Sequence, residues 1–248
     1  MRAQQAGRRA AAVAETRDEI LDAAERLFAL EGIEGVSLRR VGVAAGAANH
    51  VAVQYHFGGK RELVRAIFER RLPSLEVRRA GALAEVKRQG RQSDPHALME
   101  VILRPLNDEV DDAGRRSYAA FLLGLHHHGA FDWRADAADL SPLTSHVAEM
   151  LYASNIGVDA QLSGFRLESV FAMFLDTLVR LDRRSAVKKL PAGVEAALLA
   201  DAIIMATAAF TAPPGQHEVS ITMHDKSRPG RPAGREKNMS PISDQDRT

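Results

Sequence analysis

The sequence predicts an all-α chain: a three-helix N-terminal unit built around a helix-turn-helix, followed by a larger helical unit. Three observations carry this. Apolar residues recur at three- and four-residue steps through most of the first 212 positions, the period of one helix face. Cap residues that start helices, twice followed by proline, and glycines that stop them punctuate the pattern. No run of alternating apolar and polar residues marks a strand.

Thr16 and Glu19 have the spacing of a capping box, in which each side chain satisfies the other's free backbone N–H. Ile20, Ala24, Leu27 and Phe28 continue as one apolar stripe, and Gly32 is expected to end that helix. Ser37 is placed to cap a short second helix with Leu38, Val41 and Ala45, closed by Gly46. Val43, Ala44 and Ala45 are read as keeping it slim. A third helix is predicted from about Asn49 to His56, broken by Gly58-Gly59. Lys60 then opens a fourth, with Leu63, Val64 and Ile67 inward.

Proline inside a helix costs about 3 kcal/mol and one backbone hydrogen bond. A break or kink is therefore expected at Leu72-Pro73, before a further helix over residues 75–88. Asp94-Pro95 opens a helix through Leu98, Ile102, Leu106 and Val110. Residues 115–128 form another, 129–140 a loop, and Ser141-Pro142 starts a helix with Leu143, Val147 and Leu151. Two longer helices are predicted at about 159–184 and 191–211. From Pro213 onward there is little to bury, so 213–248 is expected to be a disordered tail.

A net charge of +1, from 33 basic and 32 acidic residues, means that any basic surface must be local. Without cysteine there is no disulfide framework, thiolate zinc site or cysteine nucleophile. Residues 1–15 lack the apolar run of a secretory leader. The apolar stretch 194–210 carries Glu195 and Asp201 and falls short of the roughly 20 residues of a membrane span. A soluble cytoplasmic protein that does not bind membranes is expected. Consecutive histidines on a helix point about 100° apart, so His126-His127-His128 is read as a helix end and no metal is assigned. No phosphate-binding glycine loop, serine elbow or carboxylate pair is found, so neither catalysis nor a cofactor is expected.

Function is concentrated in residues 37–60. A short helix, a glycine-centred turn and a second short helix suit a helix-turn-helix whose second helix enters the major groove. That helix carries Asn49, His50, Gln54 and Tyr55. Asn and Gln can pair with adenine through two hydrogen bonds. Arg39, Arg40, Lys60 and Arg61 flank it and can neutralise phosphates. On residue types alone, three packed helices with an exposed polar turn remain an equal reading.

Ile20, Ala23-Ala24, Leu27-Phe28, Gly32, Ser37, Val41, Ala45-Gly46, Tyr55-His56-Phe57, Lys60 and Leu63 together resemble the DNA-binding domain of the TetR family of regulators. The resemblance covers about a quarter of the chain. It implies a sequence-specific DNA-binding regulator, a repressor released by a small-molecule effector, acting as a homodimer on double-stranded operator DNA. It also implies phosphate contacts from Ser37, Tyr55 and Lys60, with His56 in the same motif. Base contacts fall in residues 48–54, which include Ala48, Asn49, His50 and Gln54. Between Gly46 and Tyr55 the chain is one residue longer than the family's commonest pattern, which leaves the register of Asn49 and His50 open. The alternative is a helical metal-binding protein or enzyme sharing the helix-turn-helix fold, which chelator would inactivate.

The expected division is a flexible basic arm (1–13), the DNA-binding domain (14–75, helix-turn-helix about 37–57), an effector-binding and dimerisation domain (76–212) and the tail. Leu167, Val170, Phe171, Phe174, Leu178 and Leu181 form a near-heptad stripe, and the final helix is alanine-rich. The resemblance implies that these last two helices pair with their copies, and that an effector pocket lies among the middle helices. Tyr118, Phe121 and Met173 are taken as its lining, with Arg104 or Asn107 as a polar contact. In the tail, Gly230-Arg231-Pro232 resembles the core of an AT-hook, a minor-groove-binding segment. Pro229 stands where such a hook carries a second arginine, so a solvated basic tail is the competing reading.

Overall fold

The computed structural model describes residues 2–46, 51–128, 133–188, 190, 191 and 193–215. Among these are α1 (Arg2–Gly35), α2 (Leu38–Ala44), α3 (Val51–Phe57), α4 (Lys60–Arg88), α5 (Pro95–Asn107), α6 (Ser117–His128), α7 (Trp133–Ala138), α8 (Pro142–Ser154), α9 (Ala160–Val187) and α10 (Val194–Thr211), and no strand.

Residues 2–13, expected as an arm, are the first turns of α1, and Thr16 lies inside that helix rather than capping it. The alanines of this segment, the best helix formers, carry the helix past the local capping signal. Gly32 does interrupt it: at φ 71°, ψ 163° it adopts a backbone disfavoured for residues with a β-carbon, and the chain turns there.

Pro73 does not break α4, which runs unbroken for 29 residues. The ring faces solvent, so the carbonyl that it deprives of a partner is not sealed from water. On the opposite side Leu63, Ile67, Phe68, Leu72 and Leu75 are buried, and that packing outweighs the local cost. Asp94 caps α5, its Oδ1 accepting from His96 N at 2.9 Å. The helix stops at Asn107, short of the half-exposed Val110. The expected loop at 129–140 contains α7. Ser141 sits at the start of α8 but donates its hydroxyl to Ala137 O (2.8 Å). Glu76 from α4 caps α8 in its place, accepting from Leu143 N at 2.8 Å and Thr144 Oγ1 at 2.5 Å. At the other end of the bundle, Arg166 of α9 donates to Phe210 O (3.1 Å) and Pro213 O (3.3 Å), satisfying carbonyls at the end of α10.

One apolar core joins these helices, with Phe121 of α6 at its centre. Its ring centroid lies 6.4 Å from Phe28, 5.9 Å from Phe68 and 6.0 Å from Tyr118. Beside it α6 presses on α1: a β-carbon at Gly124 would stand 2.9 Å from the Phe28 carbonyl oxygen. The same crossing buries Glu25 of α1. Its carboxylate accepts from Arg70 Nη2 (3.2 Å), Arg71 Nε (3.0 Å), Arg71 Nη2 (2.9 Å) and Ser117 Oγ (2.6 Å).

The stripe expected at a dimer interface is mostly core of this one chain. Val170, Phe174, Leu178 and Leu181 of α9 are buried under α6 and α10, and Leu167 and Phe171 are half-buried. A heptad-like stripe marks burial without saying whose chain covers it. Among the apolar side chains of α9 and α10 left outside are Phe165 (63% exposed), Ile204 (56%) and Met205 (47%). By length and composition α10 is apolar enough to cross a membrane, against the expectation, with mean hydropathy 1.6 over 18 residues and 22% of them buried. Ala202, Ile203, Ala206 and Phe210 hold one side of it in the core.

Candidate nucleic-acid interface and interior cavity

Ser37 caps α2 as expected, its Oγ accepting from Arg40 N at 3.2 Å. Val41 and Gly42 are the buried side of this helix. Val43 and Ala44, expected to keep the helix slim, face solvent. Gly46, at φ 66°, turns the chain out of α2. Ala48, Asn49 and His50 lie outside the described residues.

Val53 and Phe57, one helical turn apart, anchor α3 in the core. That anchoring turns Gln54 and Tyr55 outward, Tyr55 to 84% exposure, while His56 is half-buried against its ring (centroids 5.4 Å). The Gln54 amide donates to the Gly58 carbonyl, so its oxygen is free to accept, and a two-bond pairing with adenine requires that contact to open.

The basic flank has acidic company. Arg39 is exposed. Arg40 pairs with Glu31, and Lys60 Nζ donates to Glu34 O (3.2 Å) with Glu34 Oε2 at 3.6 Å. Exposed pairs of this kind are worth at most about 1 kcal/mol, so exchanging either glutamate for a DNA phosphate is cheap. Lys60 opens α4, whose N-terminus has no side-chain cap and points its dipole's positive end the same way. Sequence reasoning missed Arg17, whose guanidinium lies 5.3 Å from the Phe57 ring centroid and adds a cation beside α3. No local signal marked it, because it sits within the misread capping box.

Behind this surface is a cavity of about 270 Å³. Phe68, Leu72, Leu75 and Arg79 of α4 form one wall, and Leu167 and Phe171 of α9 another. Of the residues expected to line an effector pocket, Tyr118 alone lines this cavity. Phe121 is core, Met173 packs against the core, Arg104 pairs with Glu100 at the surface, and Asn107 Oδ1 accepts from Arg116 Nε at 3.0 Å. Arg79 was missed because a lone arginine in a charged helix reads as solvated. It is 3% exposed, giving Nε and Nη2 to Ile102 O (3.3 and 3.1 Å) and Nη1 to Thr144 Oγ1 (2.8 Å), with Glu76 at 3.7 Å. Burial pulls its pKa down, opposed by Tyr118 and Glu76. Burial pushes the Tyr118 phenol well above its usual range, only partly offset by Arg79, so it stays protonated. Among the described residues no three His, Cys, Asp or Glu side chains gather to hold a metal.

The comparisons with known proteins bear on the α1–α4 surface. Residues 20–67 match the bacterial regulatory proteins of the tetR family. A stretch of 68 residues, 27% of the chain, is 37% identical to the uncharacterized HTH-type transcriptional regulator TtgW of Pseudomonas putida. The match spans 50% of that protein's length. The matched segment begins inside α1 and ends inside α4, enclosing the turn between α2 and α3. Over residues 20–67, from within α1 to within α4, this chain is similar to the bacterial regulatory proteins of the tetR family.

Proposed function

We propose that this protein is a homodimeric transcription regulator that binds operator DNA through α2 and α3 and is released from it when a small molecule fills the cavity under α4. The observation that carries the reading is the outward presentation of Gln54 and Tyr55 by a helix anchored through Val53 and Phe57, with Arg39, Arg40 and Lys60 around it. Such a protein works in the cytoplasm, where the DNA is. Binding to DNA flanking its own gene, followed by footprinting, is the direct test, and a roughly two-fold-symmetric footprint is expected.

Two substitutions separate reading from gripping. Lys60→Ala is expected to weaken binding to all sequences about equally and to lower the salt slope by roughly one unit. Gln54→Ala is expected to relax preference at one base position by about 1–3 kcal/mol. Equal loss on operator and random DNA for Gln54→Ala would remove that residue from base recognition.

For the dimer, the outer faces of α9 and α10 replace the buried stripe. Phe165, Ile204 and Met205 with the exposed Ala208 and Ala209 make an apolar, small-residue surface suited to close helix pairing. Met205→Arg is expected to leave a folded monomer with much weaker operator binding, read by sedimentation and circular dichroism. A Met205→Arg protein that still sediments as a dimer moves the interface off α10.

A further inference from the structure

The geometry points to a neutral, largely apolar ligand of ring-compound size for the cavity under α4, carrying one oxygen that accepts a hydrogen bond from the Tyr118 hydroxyl. This rests on the proposal that the cavity is the effector site, and names the class of molecule it takes.

The walls are apolar, and nearly every polar group at the bound end is already used. Thr144 Oγ1 accepts from Arg79 and donates to Glu76 Oε1. Ser141 Oγ donates to Ala137 O, and Ser145 Oγ donates to Ser141 O at 3.3 Å. Arg79 is held by Ile102 O and Thr144, and Glu76 by the first turn of α8. The exceptions are Tyr152, which is half-buried, and the fully enclosed Tyr118. Its side chain is 1% exposed and lines the cavity, yet its hydroxyl has no hydrogen-bond partner among the described residues. A hydroxyl that opens only onto an apolar cavity is poorly satisfied there, and an acceptor delivered into the cavity supplies the missing bond.

Charge selects among acceptors. Arg79 lies within electrostatic reach of the hydroxyl, and its field favours the partial negative charge of a carbonyl or ether oxygen over a second donor. A full anion is disfavoured because Glu76 already balances Arg79. A full cation meets Arg79. At the packing density of protein interiors, the volume suits a molecule of roughly 10–15 non-hydrogen atoms. Tyr118 is also placed to report occupancy, because the Arg71 guanidinium lies 5.9 Å from its ring centroid and Arg71 holds Glu25 of α1.

Three probes of one shape test the class by calorimetry on the full chain: tetralin with no acceptor, 1-tetralone with a neutral one, and tetralin-1-carboxylate with an anionic one. We expect 1-tetralone to bind about ten-fold or more tighter than either of the others. Tyr118→Phe should abolish its advantage over tetralin, leave tetralin binding unchanged, and leave the Tm equal or higher, since the lost hydroxyl had no partner. Equal binding of tetralin and 1-tetralone, preference for the carboxylate, no binding of any probe at millimolar concentration, or a lower Tm for Tyr118→Phe would each overturn the ligand class. Release of the protein from DNA flanking its gene is read separately by band shift. Binding of 1-tetralone that depends on Tyr118 but leaves the DNA complex intact would overturn the regulatory reading and leave the ligand class standing. Release that ignores Tyr118 would do the reverse.

Discussion

Glu25→Ala is expected to cost about 3–5 kcal/mol of folding stability, the range for removing one partner of a buried ion pair. Glu25 is 1% exposed and accepts hydrogen bonds from two arginines of α4 and one serine of α6. Without it, Arg70 keeps Asp22 (2.8 Å) and the Asp18 carbonyl (3.4 Å), Arg71 keeps Glu109 (3.6 Å), and Ser117 loses its acceptor. Those remaining acids place the loss toward the lower end of the range. Urea unfolding of the full chain measures it. A loss below about 1 kcal/mol would mean that water enters this crossing and that the pair is effectively exposed. Glu25→Gln should fall between the two, because the amide keeps the shape and one acceptor but surrenders the charge.

The second large effect is expected at Phe174. Phe174→Arg should give a chain that fails to fold, where the heptad-like reading of α9 predicts a folded monomer. Phe174 is 0% exposed in the core among α6, α9 and α10. Even Phe174→Ala should cost about 3–5 kcal/mol for the lost transfer energy and the hole left behind. Circular dichroism and thermal unfolding decide it, with Met205→Arg as the comparison at an exposed site. A Phe174→Arg protein with native helix content and a Tm near that of the unsubstituted chain would mean that the side chain escapes to the surface.

Elements whose boundaries are set by neighbouring residues were legible in the sequence. Ser37 capping α2, Asp94-Pro95 opening α5, and the turns at Gly32 and Gly46 all obey local stereochemistry. The reading failed where distant residues decide. Pro73 obeys the burial of Leu72 and Leu75 rather than its own preference. Ser141 surrenders the cap of α8 to Glu76, 65 positions earlier in the chain. The exposed Gln54 and Tyr55 could be anticipated because Val53 and Phe57 lie one four-residue step apart on one face, which leaves the two residues after Val53 off that face. The cavity could not, because Leu167 and Phe171 share a stripe with the core residues Val170 and Phe174 and only tertiary packing tells them apart. Tyr118 was placed near a pocket by family likeness, and nothing in the residues around it announced a hydroxyl without a partner.

The contact at Gly124 sets how motion can pass between the two ends of this molecule. With no side chain between α6 and the Phe28 carbonyl, the two helices meet backbone to backbone. A close-packed interior has no slack to absorb displacement. In mechanical terms the joint has no backlash: the N-terminal half of α6, which bears Tyr118, cannot shift by even a few tenths of an ångström toward α1 without carrying α1 along. Placing a methyl group there would pre-load the joint before any ligand arrives, so residue 124 is where the resting position of the DNA-binding end can be adjusted without touching either the DNA surface or the cavity.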